Sequence, residues 1–123
     1  MSALSTLATA VIALVALLHL YFLVLEMFLW DKPAGRRAFG LTQEMAAATK
    51  KLAANQGLYN GFLVAGLVWG LLAPDGGFSI KVFFLSCVVV AGVYGGITVN
   101  KKILYVQAVP ALIALSLLFI TSG

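Results

Sequence analysis

Four long apolar runs, parted by short polar or turn-forming segments, leave this chain few ways to fold. They cover about 4–30, 52–73, 78–99 and 103–121. Each reaches the roughly 20 residues that a helix needs to cross bilayer hydrocarbon, and the first has length to spare for tilting or for running beyond it. A soluble domain coats itself with charge, at about a quarter of its residues; here 10% are charged and 63% are hydrophobic. The expectation is an integral membrane protein, all-α, built as a four-transmembrane-helix bundle that forms one domain over residues 1–123. The first run lacks a basic start and is too long for a removable signal peptide.

The connections are short where they join neighbouring helices. Pro74-Asp75-Gly76-Gly77 is turn chemistry and predicts antiparallel second and third helices, and Asn100-Lys101-Lys102 joins the third to the fourth. Net charge is +4, but its placement says more. Lys32, Arg36, Arg37, Lys50 and Lys51 lie in the first connection, and Lys101 and Lys102 in the third. The positive-inside rule puts both on the cytoplasmic side, with the N- and C-termini outside, in a multi-pass protein of the bacterial inner membrane. Topology accounts for these cations, so nucleic acid is not an expected partner. Cys87 is the single cysteine, which excludes an intrachain disulfide.

The first connection is longer. Its stretch 31–37 reads as irregular and basic, and from Thr42 the residues become helix formers. Thr42 suits an N-cap, with Glu44 in the first turn. The second helix is therefore expected to start near Thr42 and to extend from the membrane on the cytoplasmic side, with Glu44, Lys51 and Asn55 along one stripe.

Polar residues inside apolar runs are costly unless they find partners, so they mark a seam, a cavity or a binding site. His19 and Glu26 are seven residues apart and share a face of the first helix. Asn55, Gln56, Tyr59 and Asn60 occupy an arc of the second helix about 140° wide, rich in donors and acceptors. Gly57, Gly61 and Ala65, and likewise Gly92 and Gly96, form small ridges that allow close helix approach. Tyr94 and Thr98 lie one turn apart on the third helix, and Gln107 and Pro110 on the fourth, where the proline removes a helical hydrogen bond. No metal site is expected, because a single histidine and a single cysteine offer no ligand spacing.

The run from His19 to Trp30, the stretch Gly35 to Gly40, the block Asn55-Gln56-Gly57-Leu58-Tyr59-Asn60-Gly61-Phe62 and the segment Val106 to Ala111 resemble a bacterial family of four-helix membrane proteins, domain of unknown function 1304. That resemblance covers essentially the whole chain and implies no activity. A weaker architectural resemblance links Lys51 and Asn55, and Tyr94 in the third helix, to the membrane-associated eicosanoid and glutathione metabolism family. It implies a trimer with a ligand between subunits and a thiol-activating role at Tyr94, although Leu58 stands where that family has a glutamate.

Together these residues point to binding or transformation of a small amphipathic molecule at a polar intramembrane site open to the cytoplasmic side. His19, Glu26, Asn55, Gln56, Tyr59 and Asn60 would line it, with Glu44 and Lys51 at the entrance. In an enzyme His19 or Glu26 would move the proton and Tyr59 or Tyr94 would steady a developing anion. The expected partners are the lipid bilayer, that molecule and further copies of the chain; the residues leave any cofactor unspecified. A small proton-coupled exporter and a structural or accessory subunit are the competing readings.

Overall fold

A computed structural model describes residues 2–122, and these are helical with no strand. The elements are α1 (Ala3–Phe28), α2 (Pro33–Phe39), α3 (Gln43–Leu72), α4 (Phe78–Thr98), α5 (Lys101–Ile103), a π-helical turn (Leu104–Ala108) and α6 (Val109–Ser122). α1, α4 and the stretch Lys101–Thr121 are long and apolar enough to cross a membrane. α3 is not among them, although four spans were expected. Asn55, Gln56 and Asn60 interrupt the apolar character of its middle.

The helix ends follow local chemistry. Thr42 caps α3, its hydroxyl accepting from the Met45 amide at 3.1 Å. Asp75 Oδ1 accepts from the Gly77 amide at 3.0 Å, and Gly76 and Gly77 carry the positive φ of the turn into α4. Asn100 Oδ1 accepts from the Lys102 amide at 2.9 Å. The segment expected to be irregular after Asp31 contains α2. Pro33 presets the first helical φ, and Gly40 ends the helix in the left-handed conformation with its amide on Arg36 O.

Two compact units are present, Met1–Ala16 with Ala65–Gly123, and Leu17–Val64. In the larger one, α4 runs antiparallel to the π turn and α6. A Cβ on Gly92 would lie 2.6 Å from Ala108 N, and one on Gly96 2.7 Å from Leu104 Cβ. Phe78 meets Phe119 edge to face, and Leu85, Val88, Ala111, Ala114 and Leu118 are buried. The π turn sits just before Pro110, where Val109 donates its amide to Leu104 O. A proline has no N–H and crowds the preceding turn, which the wider π turn accommodates.

In the second unit, α3 runs antiparallel to the end of α1. Gly61 abuts Leu23 and Gly57 abuts Met27 and Glu26. Farther along, Thr49 receives a hydrogen bond from Trp30 Nε1 at 3.0 Å, and Lys50 pairs with Asp31 at 3.0 Å. Gly57 lies level with Met27, so the residues of α3 before about Asn55 run on past Phe28, where α1 ends.

Candidate functional site

The glycine seam decides which polar residues meet. A Cβ on Gly57 would stand 2.6 Å from Met27 Cγ, 3.1 Å from Glu26 Cβ and 3.3 Å from Leu23 O. That close approach brings the next turn of α3 against α1, and Asn60 Nδ2 there donates to Glu26 Oε1. Both side chains are buried, at 4% and 9% exposure. Glu26 accepts from no other residue among those described, and no cation pairs with it. A carboxyl satisfied by one amide, in an otherwise apolar seam, is the polar centre of this unit.

His19 is fully buried, seven residues before Glu26, or roughly 10 Å along the helix axis. Its ring stacks edge-on against Phe22 with centroids 5.4 Å apart. The mouth of the seam has interfacial character. Trp30 packs on Phe39 at 4.7 Å and hydrogen-bonds Thr49, and the Lys50 ammonium holds the Asp31 carboxyl below the usual aspartate range. Trp and basic residues of this kind favour a membrane–water boundary.

The remaining expected site residues lie elsewhere on the protomer. Glu44, Lys51, Asn55, Gln56 and Tyr59 are exposed. At 100° per residue Asn55 and Tyr59 stand about 160° from Gly57 around the helix, and Glu44 and Lys51 about 120–140°. They form the face of α3 turned away from α1. Gln56 is about 100° from Gly57, and Asn60, at about 60°, is the amide that turns inward. Asn55 and Tyr59, expected to face Glu26 or a cavity shared with it, do not face it within one chain. Sequence alone gave the arc but not its inward edge, although the phase of Gly57 and Gly61 could have picked out Asn60.

Tyr94 belongs to the other unit and is 70% exposed. It borders a shallow groove of about 510 Å³ lined by Phe83, Ser86, Cys87, Val90 and Ala91. A smaller cavity of about 200 Å³ in that unit gathers Ser5, Thr9, Asp75, Lys81 and Thr121 around the turn into α4. Among the described residues no three His, Cys, Asp or Glu side chains converge as a metal would require.

The family described as Protein of unknown function (DUF1304) matches residues 13–119. The chain belongs to this family. The matched DUF1304 region contains His19, Glu26 and Asn60 together with the glycine seam. A protein of Lactococcus lactis subsp. lactis, uncharacterized protein YpaA, is 31% identical over 113 residues, which cover 89% of this chain and 95% of that protein. No solved structure matches the chain at a significant level.

Proposed function

We propose that this DUF1304 protein is an integral membrane protein that binds, and in an enzymatic form transforms, a small amphipathic molecule at the Glu26–Asn60 pair. The observation that carries this reading is the buried carboxyl whose one hydrogen-bond partner is an amide. Membrane helices rarely hold an ionisable residue without a function for it, since the same seam could pack as leucine. The glycine contacts of α3 supply the packing by themselves, so the polar pair is not needed as adhesive.

In this reading α3 is the fourth spanning helix, entered from its apolar half at 61–72, and the protein lies in the bacterial inner membrane. The basic connection is cytoplasmic, the termini are outside and the site opens toward the cytoplasm. The outward amides Asn55 and Gln56 donate and accept equally well, which suits contact with a second copy in a homo-oligomer.

Native mass spectrometry of the purified protein tests the reading. Wild type is expected to retain a small molecule, and Asn60→Leu to lose it while keeping the same assembly. Retention that survives both Asn60→Leu and Glu26→Gln would overturn the site. Loss of the assembly, with binding intact in the folded remainder, would reassign the pair to packing.

A further inference from the structure

We infer that the head group taken by Glu26 and Asn60 is cationic: the ligand is an amphiphilic amine whose ammonium N–H groups are donated to the two free oxygens of the pair. This rests on the proposed binding site and adds the chemical class of what fills it.

The hydrogen-bond inventory leads there. Asn60 Nδ2 is spent on Glu26 Oε1. Glu26 Oε2 and Asn60 Oδ1 remain without a donor among the described residues. Both are acceptors, and a carboxylate offers nothing else. Among the described residues the enclosed polar atoms without a partner lie elsewhere, at Asp31 Oδ1 and Arg36 Nε. The free oxygens of the pair are not among them, so each keeps some accessible surface.

Charge gives the sign. The ion pair among the described residues is Lys50 with Asp31, at the mouth of the seam, and it leaves Glu26 without a balancing cation. A buried carboxyl without a cation can stay neutral by keeping its proton, whereas an ammonium favours the ionised form, balances its charge and satisfies its lone pairs at once. A sulfate or phosphate head would meet Glu26 as a like charge, and a sugar head would hydrogen-bond without neutralising it. The tail has apolar neighbours on the same side of α1, because the half-buried Phe22, Leu23 and Trp30 lie within about 60° of Glu26 around the helix.

The test uses the full chain in nanodiscs with three probes that share one tail: octylamine, octyl glucoside and octyl sulfate. Trp30, four residues from Glu26, reports binding by its fluorescence in a Trp69→Phe background. Octylamine is expected to bind saturably and about tenfold or more tighter than either other probe, as a partly buried charge pair permits. Glu26→Gln, which keeps an acceptor for Asn60, is expected to remove that preference. Asn60→Asp, which puts a second carboxyl in the site, is expected to keep or sharpen it and guards against a simple folding defect. Saturable binding of all three probes with equal affinity, or a preference for octylamine that persists in Glu26→Gln, would overturn the cationic assignment and leave the binding site standing. If no probe binds saturably, the amphiphile site falls and the assignment falls with it.

Discussion

At the scale of single residues the seam turns on Gly57 as much as on Glu26. The space for a side chain at Gly57 is already taken by Met27 Cγ, Glu26 Cβ and Leu23 O. Met27 Cγ is near the root of its side chain, and Glu26 Cβ and Leu23 O cannot swing aside, so Gly57→Ala should already lower the Tm. Gly57→Val adds two methyl groups against backbone and should cost about 1–3 kcal/mol, in the usual range for overpacking. It should also part Asn60 from Glu26. The check is thermal melting of both variants in detergent, together with ligand retention: an unchanged Tm for Gly57→Val would mean that the helices do not approach this closely. Gly61→Ala, facing only Leu23 Cδ1 at 3.0 Å, serves as the milder comparison. Much of this was legible beforehand. Histidine, glutamate and amides in apolar runs announced a polar seam, and glycines four apart announced close packing. Composition does not supply the phase of one helix against another, and Asn55 and Tyr59, on one arc with Asn60, point to the far side of α3. Burial is a property of facing pairs, and a single helix wheel lacks the second member until a contact such as Gly57 to Met27 fixes it.

At the scale of elements, two features make measurable claims. The end of α1 is tied to the extended part of α3 by Lys50 and Asp31 at 3.0 Å. The Lys50 hydrogen bond depresses the Asp31 pKa. A depressed carboxyl stabilises the fold above its ordinary value of about 3.9, and that contribution is lost as the pH falls through the lower folded value. Asp31→Asn should therefore melt slightly below wild type at neutral pH and low salt, and the two curves should converge in acid below about pH 4. A gap that stays constant across this range would assign the effect to packing. In the other unit, Pro110 offers no N–H, and the preceding turn widens into the π segment Leu104–Ala108. Pro110→Ala restores a donor, so hydrogen exchange across 104–109 should slow. Exchange equal to wild type would show that the contacts of Gly92 and Gly96 on α4 hold the π turn by themselves. The sequence announced a disturbance at Pro110 but not its form. It missed α2, where a proline start and a glycine stop bracket a helix of 7 residues too short for any periodicity to register.

At the scale of the whole molecule, the distribution of charge against apolar surface determines how the chain meets a membrane. Large apolar side chains are exposed along α1, α4 and α6, among them Leu17, Phe28, Val90, Ile97 and Ile120, and water would not tolerate that much outward hydrocarbon. Seven of the 8 Lys and Arg residues stand in two connections, at positions 32, 36, 37, 50, 51, 101 and 102, while the turn at 74–77 carries only Asp75, with Lys81 just beyond it inside α4. Lys and Arg resist transfer across the membrane far more than acidic residues steer it, so the two basic connections should share the cytoplasmic side. With four crossings both termini then lie outside. Cysteine labelling of intact cells decides this, starting from a Cys87→Ser background so that the single native thiol is silent. Ser2→Cys should react with a membrane-impermeant maleimide added outside, and Arg36→Cys should react only after the cells are opened. Labelling of both positions from outside would place the basic connection on the wrong side. Labelling of Arg36→Cys alone from outside would mean a reversed orientation, and a site reached from the cytoplasm could then no longer include the Glu26–Asn60 seam beside that connection; labelling of neither would mean that α1 does not cross the membrane. The expected pattern, Ser2→Cys open and Arg36→Cys closed, puts Trp30, Lys50 and the mouth of the seam at the cytoplasmic boundary, where an amphiphile from the inner leaflet could reach Glu26 without crossing the hydrocarbon core.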